Sequence, residues 1–154
     1  MTLNDSLTLS WPDGFHVMNE EERKKLAFFG DGPSETISDP DRHIIVSFGW
    51  KPLGGFAGML LGTRDIAKTM EKKLSRPMQA YGWRSGGALT KAVDGEKAEG
   101  FCYEYETQGV GMYGESYAIK REKTLYYLHF YARKALKSES LEVWEAILAS
   151  AKWR

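Results

Sequence analysis

The sequence contains little cysteine, no excess of either charge and no long apolar run, and each of these features excludes a class of protein. Its single cysteine, Cys102, rules out a disulfide within the chain and a cluster of thiolate metal ligands. Aromatic residues flank Cys102, and neither a Cys-x-x-Cys spacing nor a nearby base accompanies it. We therefore interpret Cys102 as a structural thiol and not as a nucleophile or redox centre.

The 21 Lys and Arg residues equal the 21 Asp and Glu residues, so the formal net charge is zero. Proteins that bind nucleic acid or an anionic membrane usually carry a basic excess, so we expect neither partner. The longest apolar-leaning run, GGFAGMLLG, is far too short to span a membrane. The opening residues, MTLNDSLTLSWPDG, lack the basic and apolar regions of a secretory signal peptide. We therefore expect a cytoplasmic location.

No motif in the sequence predicts catalysis, a cofactor or a metal. The glycines of LGGFAGMLLG lack the Gly-Lys-Ser/Thr of a phosphate-binding loop and the strand–turn–helix setting of a dinucleotide site. His16 and His43 have no neighbour at metal-ligand spacing, and no nucleophile is accompanied by a base. We therefore predict no catalytic residue, no cofactor and no metal ligand, and we expect that the protein is not an enzyme.

The N-terminal part of the chain predicts two strands followed by a helix. LTLSWPDGFHVM places strand residues on both sides of a Pro-Asp-Gly turn. NEEERKKLAFFGDGP predicts a helix that is capped by Asn19, has Glu22 at capping-box spacing, and ends at Gly30 and Pro33. We interpret the following SETISDPDR as a loop.

The middle of the chain predicts one strand and one helix. HIIVSFGW, residues 43–50, is rich in β-branched and aromatic residues and predicts a buried strand. The glycines of KPLGGFAGMLLG leave two alternatives, a distorted continuation of this strand or a loop. TRDIAKTMEKKLSRP predicts a helix with Thr63 as its cap and with Pro77 at its end.

From about Gln79 onward the pattern alternates between two faces, which predicts four successive antiparallel strands. The Asp-Gly pair within residues 93–96 marks the first hairpin. A tight turn at Glu122 and Lys123 marks the last one. The cross-strand pairs predicted for that last hairpin are Tyr117–Leu128 and Ile119–Tyr126.

A helix, SESLEVWEAILASAKW, follows the strands and takes Ser138 or Ser140 as its cap. Its inner face consists of Leu141, Val143, Trp144, Ile147, Leu148 and Ala151. The resulting order is β-β-α-β-α-β-β-β-β-α. Sequential antiparallel strands with helices before and after them predict an α+β fold, in which helices flank an antiparallel sheet as an α/β/α sandwich. We expect one domain over residues 1–154.

The register of the hairpin at residues 108–111 is open between two loops. An even-length loop would place Glu104 opposite Glu115, a like-charge pair, and would lay the aromatic residues of one strand over Gly114 and Ser116. A three-residue loop with a glycine bulge would gather one apolar face. That face would consist of Phe101, Tyr103, Tyr105, Tyr113, Tyr117, Ile119, Leu128 and Phe130. We favour the three-residue loop.

The favoured register leaves a polar and aromatic set on the other face of the sheet. This candidate site consists of Glu104, Glu106, Tyr127, His129, Tyr131 and Arg133. Its functional interpretation is a pocket in which glutamates and a histidine perform acid–base chemistry or hold one metal ion. Its structural interpretation is an amphipathic sheet face, partly covered by a helix and partly wet, with local hydrogen bonds and ordinary ion pairs.

Three segments resemble the Mog1/PsbP-like fold family. SWPDGFHV resembles its opening strand–turn–strand, in which a hydrophobic residue precedes Pro-x-Gly-aromatic. VWEAILASAKW resembles its last helix, and the run from GFCYEY through LYYLHFYA fits the strands before that helix. The resemblance implies an antiparallel sheet between helical layers. Members of the family are mostly non-enzymatic binding proteins, among them a photosystem II subunit, a nuclear import factor, lipoproteins and secretion chaperones.

Two functions follow as hypotheses. The first is a small non-catalytic protein that binds another protein as an adaptor, chaperone or regulator, through an exposed apolar patch around residues 54–62. The alternative is a small-ligand-binding protein or enzyme that uses the face with Glu104, Glu106, His129 and Arg133. The sequence does not set the oligomeric state.

Overall fold

The structure of the chain, a computed structural model, describes residues 1–26 and 32–154. The strands are β1 (Thr2–Leu3), β2 (Leu7–Thr8), β3 (His16–Val17), β4 (Ser34–Asp39), β5 (Ile44–Pro52), β6 (Arg84–Val93), β7 (Glu96–Thr107), β8 (Val110–Arg121), β9 (Thr124–Arg133) and β10 (Lys152–Trp153). The α-helices are α1 (Glu20–Lys24), α2 (Gly55–Leu60), α3 (Thr63–Met78) and α4 (Lys137–Ala149), and short 3₁₀ turns cover Gln79–Tyr81 and Lys134–Leu136.

Within the described residues, seven strands form an antiparallel sheet in the order β3-β4-β5-β9-β8-β7-β6, and β1, β2 and β10 form a small separate sheet. Helix α4 packs its buried Trp144 on one face of the large sheet, together with the leucines of β1 and β2. Helix α3 packs Met70 and Leu74 on the other face. These contacts confirm the α+β class and the predicted antiparallel sheet between helical layers.

Several local predictions are confirmed. Asn19 Oδ1 accepts a hydrogen bond from the Glu22 amide at 2.9 Å, and Glu22 Oε2 accepts one from the Asn19 amide at 2.8 Å, so α1 begins with a capping box. The predicted end of that helix at Gly30 lies outside the described residues. In the β8–β9 hairpin, the predicted pairs form, namely Tyr117–Leu128 and Ile119–Tyr126.

The segment predicted as a loop after α1 is a strand, β4, which pairs with β5 along its whole length. Its polar residues concealed it, because they are buried and bonded within the fold. Thr36 donates to Ser47 Oγ, and Asp39 accepts from the Arg42 guanidinium at 2.6 Å and from two backbone amides. Burying a polar group costs little free energy when the group has hydrogen-bond partners, so a buried strand can contain polar residues. Hydrophobic periodicity alone does not detect such a strand.

Other element boundaries differ from the predictions. The strand that ends at Pro52 leads into helix α2, which was neither of the two alternatives for that glycine-rich segment. Helix α3 includes Thr63, with Gly62 as its cap, and it continues past Pro77. Helix α4 begins at Lys137 without a serine cap. Strands β2 and β3 lie in different sheets and do not form the expected hairpin, and β1 and β10 were not predicted.

The β7–β8 turn contains only Gln108 and Gly109, so the favoured three-residue loop is wrong. Both turn residues have positive φ, 51° and 77°, which a two-residue hairpin turn of this kind requires. The even-length alternative is right about the faces, since Tyr103 lies opposite Gly114. The like-charge pair expected with it does not form, because Glu104 lies opposite Tyr113.

Glu115 anchors helix α4 to the sheet. This buried carboxylate accepts hydrogen bonds from the hydroxyls of Tyr113 and Tyr117, both at 2.8 Å, and from the Trp144 indole at 3.0 Å. The Trp144 ring also stacks on Phe130 of β9 at 5.3 Å between centroids. Three neutral donors thus take the place of water around one buried charge.

Arg64 anchors the beginning of helix α3. Its guanidinium donates to the Gly100 carbonyl at 2.8 Å and to the Glu99 carboxylate. Burial alone would raise the pKa of Glu99, but hydrogen bonds from Lys97 and Thr90 and the charge of Arg64 bring that pKa below its ordinary value. The buried carboxylate therefore stays charged and holds α3 on the sheet.

Strand β6 forms one end of the large sheet, and no described strand pairs with its outer side. Its pairing with β7 shifts between Ser85 and Gly87, where the strand carries a bulge. A side chain at Gly86 would meet the Cys102 sulfur at 2.5 Å, so this irregular stretch accommodates the thiol. Most of β6 is exposed to solvent.

We expect Gly114→Ala to lower the free energy of unfolding by about 2 kcal/mol or more, because the new methyl group would lie 2.4 Å from the buried Tyr103 ring. Urea denaturation measures this loss. Gly111→Ala is the matched control on the same strand, since its methyl group would lie 3.6 Å from the nearest atom and should cost far less. Equal losses in the two variants would contradict the packing of Tyr103 over Gly114.

We expect Glu115→Ala to lower the free energy of unfolding by about 3 kcal/mol or more, because it leaves buried hydroxyl and indole donors without an acceptor. Urea denaturation and near-ultraviolet circular dichroism of Trp144 measure the loss. Glu106→Ala, a change to an exposed glutamate of β7, is the control and should be close to neutral. A near-neutral Glu115→Ala would show that the network does not anchor α4.

Candidate functional site

The structure does not bring the predicted site residues together. Glu104 and Glu106 lie on the face of the sheet that α4 covers, whereas Tyr127, His129, Tyr131 and Arg133 lie on the face that α3 covers. The cause is the two-residue turn, which inverts β7 relative to the favoured register. The predicted convergence of glutamates and histidine is therefore wrong.

The two glutamates lie at or near the surface of the sheet. Glu104 pairs with Arg84 and with Lys134, each at 3.0 Å. The Lys134 hydrogen bond is the main cause that lowers the pKa of Glu104. Glu106 is exposed. Glu104 thus corresponds to the structural interpretation, an ordinary ion pair at a solvated sheet face.

A cavity of about 720 Å³ lies on the α3 face, between strands β5 and β9 and helices α2 and α3. Its apolar walls include Leu53, Leu61, Ile66, Met70, Leu74 and Leu125. Two exposed lysines, Lys51 and Lys73, also line it, and no Asp or Glu does so among the described residues. Its size lies within the range of small-molecule sites, roughly 300–1,000 Å³.

Two residues that line the cavity, Ser47 and His129, belong to a row of polar side chains that crosses neighbouring strands. Thr36 pairs with Ser47, Ser47 with His129, and His129 with Ser116 in the strand ladders. Thr36 Oγ1 donates to Ser47 Oγ at 3.4 Å, and Ser116 Oγ lies 2.7 Å from His129 Nδ1. Tyr103 Oη lies 3.3 Å from Ser116 Oγ and extends the row. We call these five residues the polar floor.

Of the predicted site residues, Tyr127 and His129 line this cavity. Burial lowers the pKa of His129 to about 4, so the imidazole is neutral at pH 7. Its Nδ1 is bonded to Ser116, while no hydrogen bond from the described residues reaches its Nε2. The two ring nitrogens point in largely opposite directions, so Nε2 points away from Ser116, and Ser47 lies opposite His129 on the neighbouring strand β5.

An apolar ridge adjoins the cavity. It consists of Met59, Leu60 and Leu61, whose side chains are 45%, 70% and 50% exposed. Lys120 Nζ donates to the Met59 and Leu61 carbonyls and so fixes the end of α2 to strand β8. The exposed apolar patch predicted around residues 54–62 is thus present in the structure.

Thr36, Ser47 and Ser116 were not predicted as parts of the polar floor. The one available signal was Ser47, a single hydroxyl inside the apolar strand HIIVSFGW. A buried hydroxyl in such a strand needs a partner, which points to another polar residue across the sheet. In residues 1–26 and 32–154, no group of three or more metal-ligating side chains occurs. The helices in that part of the chain include none with the length and apolarity needed to cross a membrane.

We expect the free energy of unfolding to decrease as the pH falls from about 6.5 towards 4. The folded protein keeps His129 neutral until about pH 4, whereas the unfolded chain protonates it near its ordinary pKa of 6.5. The slope from this group is at most about 1.4 kcal/mol per pH unit. Urea denaturation between pH 5 and 7 should show this slope in the wild type and in His16→Gln, and a smaller slope in His129→Gln. An unchanged slope in His129→Gln would contradict burial of a neutral imidazole.

No family model and no curated protein sequence matches the chain. The chain is similar in structure to PsbP from the cyanobacterium Synechocystis, with a TM-score of 0.67 and 12% identity over 97% of this chain and 93% of that one. It is also similar to LpqN from Mycobacterium tuberculosis, a protein involved in cell envelope biogenesis, with a TM-score of 0.60 and 12% identity over 96% and 82% of the two chains. A protein of unknown function from Pseudomonas aeruginosa gives a TM-score of 0.55 and 13% identity over 80% and 85%. At such identities the likeness concerns the fold, and the chain has a PsbP/Mog1-like fold.

Proposed function

We propose that the protein is a non-catalytic binding protein, an adaptor, chaperone or regulator, whose partner is another protein. The observation that carries the proposal is the apolar ridge, three consecutive large side chains that are about half exposed or more. Removing such side chains from water contributes about 1.5–3 kcal/mol each on full burial. Contiguous exposed apolar side chains on a folded protein are typical of an interaction site.

The ridge is held in position before any partner arrives. Lys120 binds the carbonyls at the end of α2, and the Leu53 amide before α2 donates to the Lys123 carbonyl at 2.8 Å. Both ends of this short helix are therefore attached to the β8–β9 hairpin. A surface that is already ordered loses less conformational entropy on binding than a mobile loop would.

The charges near the ridge favour an acidic partner segment. Lys51, Lys120 and Lys123 lie on the elements that hold α2, and Lys51 also contacts the Tyr127 ring at 5.5 Å. A partner segment with apolar side chains flanked by carboxylates would complement this arrangement. We propose a cytoplasmic setting for the interaction, in line with the expectation from the sequence.

The fold agrees with this proposal without establishing it. Members of the family that the sequence resembles are mostly non-enzymatic binding proteins, and one fold supports many functions. The alternative of a small-ligand-binding protein or enzyme that used Glu104, Glu106, His129 and Arg133 as one group loses its geometric basis. The cavity above His129 is a different site.

We expect Leu60→Glu to weaken partner binding about tenfold or more, because it places a carboxylate at the centre of the ridge and repels an acidic segment. The measurement is quantitative affinity capture of wild-type and variant protein from the host lysate, followed by titration of the captured partner with purified protein.

Val17→Glu is the matched control, since Val17 is a 47% exposed apolar residue of β3, outside α2. The partner should be retained by this control, and raised salt should weaken its binding to the wild type. Circular dichroism verifies that both variants are folded. A partner that binds Leu60→Glu as tightly as the wild type, or that both variants lose equally, would contradict docking at the ridge.

A further inference from the structure

The hydrogen bonds of the polar floor bear on which ring nitrogen of His129 carries the proton. Tyr103 Oη and Ser116 Oγ are hydrogen-bonded, and Ser116 Oγ is in turn bonded to His129 Nδ1. Either hydroxyl of the Tyr103–Ser116 pair can donate, and from the greater donor strength of a phenol we infer that Tyr103 donates to Ser116 and Ser116 donates to Nδ1. A neutral imidazole that accepts at Nδ1 carries its proton on Nε2. His129 therefore presents an N–H donor.

Ser47 supplies a second donor beside the first. Thr36 donates to Ser47 Oγ, so the Ser47 proton remains for another acceptor, and Ser47 is among the residues that line the cavity. Ser47 and His129 face each other directly in the β5–β9 ladder. Side chains in such pairs have their β-carbons about 5 Å apart, which allows both donors to reach one acceptor atom.

The rest of the cavity suits an apolar molecule. Leucine, isoleucine and methionine side chains of α3 and β9 form its walls above the floor. A buried donor that is left without an acceptor costs about 1–3 kcal/mol of free energy. A ligand that supplies the acceptor removes this cost and therefore binds more tightly.

From this arrangement we propose that the cavity binds a small, mostly apolar molecule through one carbonyl oxygen, which accepts hydrogen bonds from His129 Nε2 and Ser47 Oγ. The ligand class is an aromatic or aliphatic ketone or amide. The site involves neither Met59 nor Leu60 and shares only Leu61 with the apolar ridge.

A neutral carbonyl fits the floor better than a carboxylate does. Both donors are uncharged, and burial holds the pKa of His129 near 4, so the floor offers no cation. An ionised group placed there would be desolvated without a counter-charge, which is unfavourable by several kcal/mol. The lysines that line the cavity, Lys51 and Lys73, are exposed, and Lys51 lies over the Tyr127 ring at 5.5 Å.

Three probes of matched shape test the proposal by isothermal titration calorimetry: 2-acetonaphthone, 2-ethylnaphthalene and 2-naphthoate. We expect the ketone to bind the wild-type protein about tenfold more tightly than the hydrocarbon, because its oxygen accepts hydrogen bonds that the hydrocarbon cannot form. Ser47→Ala should reduce this ratio, and His129→Phe should bring it close to one. Thr69→Ala is the control, because its wall hydroxyl already bonds to the Asp65 carbonyl within α3.

Nitrogen-15 NMR of the imidazoles gives a readout that does not depend on the variants. The His129 ring should show a protonated Nε2 at pH 7, and this signal should move with the ketone and not with the hydrocarbon. His16 and His43 serve as internal references. The proposal is overturned if ketone and hydrocarbon bind equally, if naphthoate binds most tightly, if no probe binds, or if the proton resides on Nδ1. Leu60→Glu should leave ketone binding unchanged, which separates this test from that of the ridge.

Discussion

The two-residue turn at Gln108 and Gly109 is the constraint on which the sheet depends. It fixes the register of β7 against β8, and the equally short turn at Glu122 and Lys123 fixes β8 against β9. Because side chains alternate strictly along a strand, these turns decide which residues face α3 and which face α4. They place Tyr103 over Gly114 and bring the polar floor onto one face.

The two faces then differ in how completely they are filled. On the α4 face, Trp144 reaches through the apolar core to Glu115, and the leucines of the small sheet complete the packing. On the α3 face, helix α3 is attached at its beginning by Arg64, and the space beyond its middle turns stays open above His129. The protein thus has one closed face that stabilises the fold and one face with room for a ligand.

Local chemistry made part of this architecture predictable. A feature can be predicted when it depends on residues that are close in sequence or that lie on one helical stripe. Such features here are the Asn19 capping box, the Asp-Gly turn after Val93 and the buried Trp144. The register of β7 against β8 depends on a positive φ at Gln108. Residues other than glycine and asparagine rarely adopt a positive φ, so the sequence does not predict this turn.

The candidate site failed for the same reason. A change of one residue in a hairpin loop moves every side chain of a strand to the other face, so Glu104 and His129 could not be assigned to one site from pattern alone. Ser47 and Ser116 became visible as neighbours of His129 only through pairings between strands far apart in sequence. Such pairings result from the whole sheet and not from any segment of it.

The irregular end strand β6 has a consequence for how copies of this protein meet at high concentration. An open sheet edge invites a strand from another molecule, and net charge is one common deterrent against that encounter. The chain has a formal net charge of zero, so long-range repulsion between copies is weak at neutral pH. The bulge at Ser85–Gly87 and the glycines beside it interrupt the regular spacing of amides that an incoming strand would need. The shape of the backbone at this edge therefore opposes association of copies through β6. Straightening the bulge would remove this protection against aggregation.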